Sequence, residues 1–416
     1  MIIIIKSNKK LTDIKADIRK VSDRGEMVSM MEPLHLAADS RFRTELTDLA
    51  VELAAKAAGF RRSLPDGVLS SLADLVRNMN CYYSNLIEGH YTHPVEIERA
   101  LQNVYSTDKQ KRNLQIEAKA HIAAQIWIDE GNLRKRATTV EGICEIHRRF
   151  GEHLPPELLW AKDPNSGKKI HVVPGRLREQ DVRVGQHVPI SPGALPRFLK
   201  RFEEVYSGLS KSEMIIGTAA AHHRLLWIHP FVDGNGRVAR LMSHAILLEL
   251  LDTGSIWSVA RGLARNENSY KTHLANCDLK RRNDLDGRGG LSEESLVEFT
   301  RFFLHTCLDQ IDFMEGLVQP GRLRHRLLSW AGEEIKTGNL PPKAETLLEA
   351  ILYRGELPRS ELPNLLGVGE RQCRRVISAL TGHKVLTATN PRAPLRLAFP
   401  AHLAPHLMPG LFPEMA

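Results

Sequence analysis

The residues best suited to chemistry lie in one short segment, His229–Arg240, which reads His-Pro-Phe-Val-Asp-Gly-Asn-Gly-Arg-Val-Ala-Arg. Apolar residues at helical spacing run up to Ile228, and a second amphipathic pattern begins near Arg237. The turn Gly234-Asn235-Gly236 therefore opens a helix, where backbone N–H groups lack intrahelical acceptors and favour an anion. Glycine also lets a backbone approach a phosphate closely. The pattern predicts a phosphate-binding turn.

Three kinds of side chain around this turn suit phosphoryl-type transfer. His229 can be neutral near pH 7 and accept a proton. Asp233 would repel a phosphate unless it holds Mg²⁺, so we interpret it as a metal ligand. Arg237 and Arg240 are three residues apart, so they share a helix face and can reach further phosphates. A Gly-Asn-Gly sequence alone is usually a plain turn, and the specificity lies in the ordered combination.

The segment resembles the signature of the Fic family, H-P-F-x-[D/E]-G-N-G-R-x-x-R, without a departure. The resemblance extends over about residues 40–317 and implies transfer of AMP from Mg-ATP to a protein hydroxyl. It implies that His229 takes the proton from that hydroxyl, that Asp233 binds Mg²⁺, and that Gly234-Asn235-Gly236 cradles the α- and β-phosphates. It further implies that Arg237 and Arg240 contact the outer phosphates.

A second match lies upstream. The hexapeptide Ser84-Asn85-Leu86-Ile87-Glu88-Gly89 resembles the inhibitory pattern of the same family, [S/T]-x-x-x-E-[G/N]. Ser84 and Glu88 are four residues apart and share one helix face, and Gly89 suits a helix C-terminal cap. The match implies an inhibitory helix over about residues 66–89. We expect the Glu88 carboxylate to pair with Arg240, because a partly desolvated guanidinium favours a carboxylate partner.

Two looser matches concern the target protein and the adenine. The loop Pro174–Arg178, followed by Val182, Arg183 and Val184, is similar to the family's β-hairpin flap that holds the main chain of the target. Tyr270 lies where the family often has an aromatic residue near the adenine. The alternatives are an ordinary surface hairpin and a core tyrosine.

The elements around these motifs read as mainly α-helical, without the βαβ alternation of a parallel-sheet fold. A Gly- and Pro-rich stretch at 162–193 predicts an irregular loop with a β-hairpin, formed from short alternating runs at 170–173 and 182–184. The predicted helices cover residues 39–60, 66–88, 94–105, 114–130, 139–150, 194–209, 213–228, 237–251, 265–282 and 292–317.

We divide the chain into an N-terminal helical region (1–110), a catalytic core (111–317), a connecting helix and linker (318–342) and a C-terminal unit (343–416). The C-terminal unit resembles a winged helix-turn-helix, with three helices and two strands, Val385–Thr389 and Leu395–Phe399. Residues 343–399 hold nine Lys/Arg and five Glu, and Arg371, Arg374 and Arg375 would lie on the recognition helix. DNA binding and protein docking are equally compatible with this pattern.

The bulk composition bounds the class of protein. With 42% apolar and 25% charged residues, the 416-residue chain has the balance of a soluble globular protein. Its net charge of +8 suits an anionic partner such as a nucleotide. Five scattered cysteines predict neither disulfides nor a thiolate metal site. The start, Met1–Lys6, lacks the features of a signal peptide and is interpreted as a short strand or a tail, so we expect a cytoplasmic protein with no membrane contact.

The leading hypothesis is an autoinhibited, Mg-ATP-dependent protein adenylyltransferase that modifies Ser, Thr or Tyr hydroxyls. Removal of AMP from modified proteins is an alternative at the same site, since Glu88 could instead orient a water molecule. A third reading is a DNA-binding regulator whose Fic domain senses nucleotide. Whether the chain forms a homodimer is left open.

Overall fold

Helices make up most of the chain in the computed structural model, which describes residues 21–162 and 167–413. The predicted mainly α-helical fold class is confirmed. The interpretation of Met1–Lys6 lies outside the described residues. No helix in the described ranges is long and apolar enough to cross a membrane.

Two of the N-terminal helices begin at residues whose side chains cap them, and a third ends just before a glycine. Asp108 and Thr139 accept N–H bonds from the first turns of their helices. The helix that ends at Ile87 is followed by Gly89, whose φ of +77° belongs to the left-handed region. The helices are α1 (Arg43–Arg62), α2 (Asp66–Ile87), α3 (Pro94–Leu101), α4 (Lys109–Asp129) and α5 (Val140–Gly151).

A short hairpin separates these helices from the next group. Strand β1 (Trp160–Lys162) pairs antiparallel with β2 (Lys169–His171), with Ala161 opposite Ile170. The predicted strand at 182–184 is wrong: only Val184 forms an isolated bridge, with His187. The chain makes a tight turn here, and the Arg183 side chain donates to the Gly185 carbonyl within it.

The central helices pack around a continuous apolar core. They are α6 (Leu195–Ser207), α7 (Lys211–Ile228), α8 (Asn235–Leu251), α9 (Val259–Arg265), α10 (Glu267–Asn276) and α11 (Glu293–Val318). The helix predicted over 265–282 is wrong in its bounds. Ser258 caps an earlier start, Asn266 bonds back to the Gly262 carbonyl and separates α9 from α10, and residues 277–282 turn away toward Asp286.

The C-terminal elements form helices and a small antiparallel sheet of order β3-β5-β4. Leu395 lies opposite Leu357 and Leu397 opposite Leu386, so all four leucines face one apolar side. The winged helix-turn-helix assignment stays a prediction. The elements are α12 (Pro320–Lys336), α13 (Ala344–Arg354), β3 (Glu356–Leu357), α14 (Leu362–Leu366), α15 (Glu370–Gly382), β4 (Leu386–Thr387), β5 (Leu395–Leu397) and α16 (Ala404–Leu407).

Helix α2 lies between the central helices and the C-terminal elements. Residues 78–85 are all buried. Near its start, a Cβ added to Gly67 would lie 2.2 Å from the Gly355 carbonyl oxygen, so the two backbones touch. The Ser71 hydroxyl also donates to the Leu397 carbonyl. The predicted division into four regions stays a prediction, and α2 is the element that joins them.

The cysteines behave as the composition predicts. All five are free: Cys81, Cys277, Cys307 and Cys373 are buried, and Cys144 is half-buried. Burial raises the pKa of the Cys144 thiol to about 11, so it is not a ready nucleophile.

Candidate active site

The predicted anion turn connects α7 to α8. Helix α7 ends at His229, whose φ of +52° places a bulky residue in the left-handed region, and Gly234 has a φ of +82°. The Asn235 side chain closes the turn with two bonds to the Phe231 backbone, each 2.9 Å long. The backbone N–H groups in the first turn of α8 therefore remain available to an anion, because it is the side-chain amide of Asn235 that holds the loop.

His229 has the protonation state that a general base needs. Its Nδ1 faces the Leu226 carbonyl at 3.4 Å, so this nitrogen carries the proton and Nε2 has a free lone pair. Burial, with a further contribution from Arg178, lowers the pKa of His229 to about 4. The imidazole is therefore neutral at pH 7 and can accept a proton.

Arg178 holds the strained backbone around His229. Its guanidinium donates to the His229 carbonyl at 2.7 Å and to the Ile190 carbonyl at 2.6 Å. The backbone N–H of Arg178 donates to the Pro230 carbonyl at 2.9 Å. The side chain is only 2% exposed, and burial lowers its pKa to about 10. The sequence signal was weak, because nothing in the loop Pro174–Arg178 marks one arginine as buried.

His147 on α5 supports the turn from the other side. Its ring stacks on Phe231 with centroids 3.9 Å apart, and Nδ1 accepts the Gly175 N–H at 2.8 Å. Nε2 therefore carries the proton and donates to the Asp233 carbonyl at 3.2 Å. Burial lowers the pKa of His147 to about 4, which keeps the ring neutral. The sequence analysis did not single out His147, since a histidine on an amphipathic helix carries no distinguishing pattern.

Arg240 is paired with the inhibitory segment. Its Nε donates to Ser84 Oγ at 2.8 Å, and Nη2 donates to the Ser84 carbonyl and to the Glu88 carboxylate. The predicted ion pair is present, with the Arg240 side chain 3% and the Glu88 side chain 32% exposed. Although burial opposes ionisation of Glu88, Arg240 holds the pKa of this carboxyl below its ordinary value.

Arg237 has a different environment. Its guanidinium lies over the Phe150 ring, 4.8 Å from the centroid, and its nearest carboxylate is Glu117 at 3.7 Å. Glu117 in turn accepts a 2.8 Å bond from His90. Nε of Arg237 is buried without a hydrogen-bond partner among the described residues. A cation so placed favours an incoming anion.

The end of α2 brings Glu88 against the turn. The His90 N–H bonds to the Asn85 carbonyl and the Gly89 N–H to the Leu86 carbonyl, each at 2.9 Å, which is the Schellman motif. A Cβ added to Gly236 would lie 2.3 Å from Glu88 Oε1, so only glycine lets the carboxylate lie this close to the anion turn.

Asp233 fits the predicted role of a magnesium ligand. Its carboxylate is exposed, and only Oδ1 is engaged, accepting the Gly234 N–H at 2.7 Å. The described ranges contain no cluster of three or more His, Cys, Asp or Glu that could hold a metal. Asp233 as a magnesium ligand stays a prediction, since Mg²⁺ is commonly held by one or two carboxylates together with substrate phosphates.

The flap and adenine residues differ in exposure. Val182 is half-buried, whereas Arg183 and Val184 are exposed, so the segment presents free edges but no paired strand. Tyr270 is 2% exposed and its hydroxyl lies 2.7 Å from His222 Nε2, so its role near the adenine stays a prediction. Its aromatic ring fills space between helices because burying it there stabilises the core.

Comparison with known proteins finds similarity over part of the chain. Residues 137–247 match the model of the Fic/DOC family. "Protein adenylyltransferase Fic" of Drosophila ananassae is 31% identical over 169 residues, 40% of this chain and 31% of that protein. The corresponding protein of Drosophila willistoni is 32% identical over 169 residues. The match thus spans about a third of the length of these curated relatives.

Two solved structures align with this chain at TM-scores below 0.5. A Fic family protein from Desulfovibrio desulfuricans aligns with a TM-score of 0.48 and 16% identity, over 84% of this chain and 96% of that chain. Fic-1 from C. elegans, residues 134–508, aligns with a TM-score of 0.46 and 19% identity, over 67% of this chain and 74% of that chain.

Proposed function

We propose that this chain, whose residues 137–247 match the Fic/DOC family model, transfers AMP from ATP to a hydroxyl side chain of a protein target. The observation that carries the proposal is a neutral His229, with Nε2 free, beside a helix N-terminus built to receive phosphate. Ser, Thr or Tyr of the target would supply the hydroxyl.

The transfer would proceed by direct displacement. The target oxygen attacks the α-phosphorus as its proton passes to Nε2 of His229, and the bond to the β-phosphate breaks to release pyrophosphate. The backbone N–H groups of Asn235 and Gly236 would bind the phosphate oxygens, and Arg237 would neutralise charge farther along the chain of phosphates. Mg²⁺ held by Asp233 would supply further charge neutralisation.

We propose that the chain inhibits itself through Glu88. The γ-phosphate of ATP requires Arg240, yet Arg240 is held by Glu88 and Ser84. ATP would still bind, but with its outer phosphates displaced and its α-phosphorus turned away from in-line attack. A displacement of about 1 Å can cost ~10²-fold in rate, so inhibition does not require loss of ATP binding.

The test compares parent and Glu88→Gly proteins for transfer of label from α-labelled ATP. We expect the variant to transfer at least about tenfold faster, with ATP affinity changed much less, and Glu88→Asp to lie between. Glu130→Gly is the matched control, because Glu130 also ends a helix before a glycine of positive φ, far along the chain from the turn.

Each outcome of this comparison assigns a role. Equal transfer by parent and Glu88→Gly proteins would contradict autoinhibition. Slower transfer by the variant would favour the alternative, in which Glu88 orients water for removal of AMP. Absence of transfer by every variant, with folding intact, would contradict adenylyltransfer itself.

A second proposal, that the C-terminal unit binds duplex DNA, is favoured by one face of α15. Arg371, Arg374 and Arg375 are all exposed on it, whereas Cys373 and Val376 face the core. Exposed arginines on one helix face can contact phosphates or base edges. The cytoplasm is the compartment that we propose for both activities.

The salt dependence of binding tests this second proposal. The full chain should bind a duplex with a log–log slope of roughly −0.9 per contacted phosphate, and replacing the three arginines by Ala should flatten it. Replacing three exposed arginines elsewhere, Arg62, Arg112 and Arg134, is the control. Duplex binding that is absent at low salt would leave protein docking as the role of α15.

A further inference from the structure

The last described segment of the chain runs back over the inhibitory helix. Residues 401–413, which we call the C-terminal strap, follow β5 and include α16. Leu407 and Met408 are each 1% exposed and Leu411 is fully buried. At the start of the strap, the Ala401 N–H donates to the Glu98 carboxylate on α3. The strap is therefore a packed element, with anchors along its length.

Arg261 on α9 binds the strap backbone. Its Nη2 donates to the Gly410 carbonyl at 2.7 Å, Nε to the Leu411 carbonyl at 3.4 Å, and Nη1 to the Gln310 side chain at 3.0 Å. The guanidinium also lies 3.6 Å from the centroid of the Phe313 ring, and the residue is 4% exposed. A buried cation satisfied by carbonyl oxygens depends on the strap for its hydrogen bonds.

The same strap carbonyl reaches the inhibitory helix. The Tyr83 hydroxyl donates to the Leu411 carbonyl at 3.0 Å, and the ring of Tyr82 meets Phe412 edge-on at 5.7 Å. The next residue of α2 is Ser84, which accepts two bonds from Arg240. Consecutive residues of one helix thus contact different partners: Tyr83 contacts the strap and Ser84 contacts the anion helix.

We infer that the C-terminal strap is a second lock on the active site, which holds α2 in the position where Glu88 reaches Arg240. This inference rests on the proposed autoinhibition. With the strap in place, movement of α2 away from α8 breaks the Tyr83–Leu411 bond as well as the bonds to Arg240. When the strap is released, movement of α2 no longer has to break the Tyr83–Leu411 bond, so Glu88 leaves Arg240 more often.

Tyr83→Phe tests the lock because it removes one hydroxyl and leaves the ring. We expect AMP transfer to rise roughly fivefold, the change in equilibrium for one net hydrogen bond. The matched control is Tyr206→Phe. This variant also removes a buried bond from a tyrosine hydroxyl to a carbonyl, but the bond joins α6 to Leu34 and does not involve α2. This control should leave transfer at the parent level.

A double variant separates regulation from general loosening. In the Glu88→Gly protein the pair to Arg240 is already absent, so adding Tyr83→Phe should give no further increase in transfer. An equal increase in both backgrounds would overturn the inference. So would a Tyr83→Phe protein no more active than Tyr206→Phe.

Hydrogen exchange gives a readout that does not depend on the enzymatic reaction. The amides of residues 82–88 should exchange faster in Tyr83→Phe than in the parent, and at the parent rate in Tyr206→Phe. Unchanged exchange over this segment would overturn the lock. If no variant transfers AMP while this exchange increases, the proposed function fails and the coupling of strap to helix stands.

Discussion

The turn that carries His229 and the end of α2 that carries Glu88 meet at Arg240, but they are held in different ways. The turn is fixed by three buried side chains that each bond to its backbone: Asn235, His147 and Arg178. The end of α2 is fixed by Arg240 and by the strap, both distant in sequence.

The turn at His229 is thus held rigidly, whereas the end of α2 can be released. A reacting group must be preorganised within a fraction of an ångström, so the turn is bonded from several sides. An inhibitory group must instead leave on demand, and the Glu88 side chain is 32% exposed at the end of its helix. The following experiments break the two regions separately, in order of expected effect.

The largest effect is expected for His229→Ala. In the Glu88→Gly background, removal of the general base should lower transfer by ~10²–10⁴-fold. ATP should still bind, because the N–H groups of the turn do not depend on the imidazole. Single-turnover transfer and nucleotide titration measure the two quantities. Transfer at the rate of the background protein would show that His229 is not the base.

Arg178→Met should come next. Without its donor, the left-handed backbone at His229 loses a fixed position, and we expect about a hundredfold fall in kcat with a small change in ATP affinity. Arg176→Met, which changes an exposed arginine of the same loop, is the control and should be nearly neutral. If the two variants behave alike, Arg178 does not position His229.

On the inhibitory side, Ser84→Ala should release the site weakly. Arg240 loses the Ser84 hydroxyl but keeps Glu88, so transfer should rise roughly fivefold, less than for Glu88→Gly. Thr300→Ala removes another buried hydroxyl, one that bonds only within its own helix, and should not activate. Activation by Ser84→Ala equal to that of Glu88→Gly would mean that Ser84, and not the carboxylate, holds Arg240.

The smallest effect is expected from pH. Because the pKa of His229 is lowered to about 4, its base form persists as the pH falls, and kcat/KM of Glu88→Gly should change less than about threefold between pH 8 and 5.5. A histidine with an ordinary pKa near 6.5 would lose roughly tenfold by pH 5.5. The lowered pKa of Glu88 means that the ion pair is lost only below about pH 4.5.

The sequence predicted parts of both regions, the turn at His229 and the end of α2. The spacing of His229, Asp233 and the glycines predicted a helix-opening anion turn, and the resemblance of Ser84–Gly89 to the family's inhibitory pattern implied the partner of Arg240. Arg178 and His147 were not predicted, since their roles arise from burial against a turn that lies 51 and 86 residues away in the chain. The role of Tyr270 stays a prediction, because an aromatic residue at helical spacing has the same pattern in a core and in a cleft.

Local chemistry explains what the sequence by itself determined: the helices, the caps, the positive φ at Gly89 and Gly234, and the order of groups along His229–Arg240. These depend on residues within a few positions of one another, where backbone sterics and capping act. The tertiary structure alone decided that the His229 ring is buried and neutral, which buried arginine braces it, and that the strap reaches Tyr83. Those outcomes follow from desolvation and long-range packing, which no local spacing encodes.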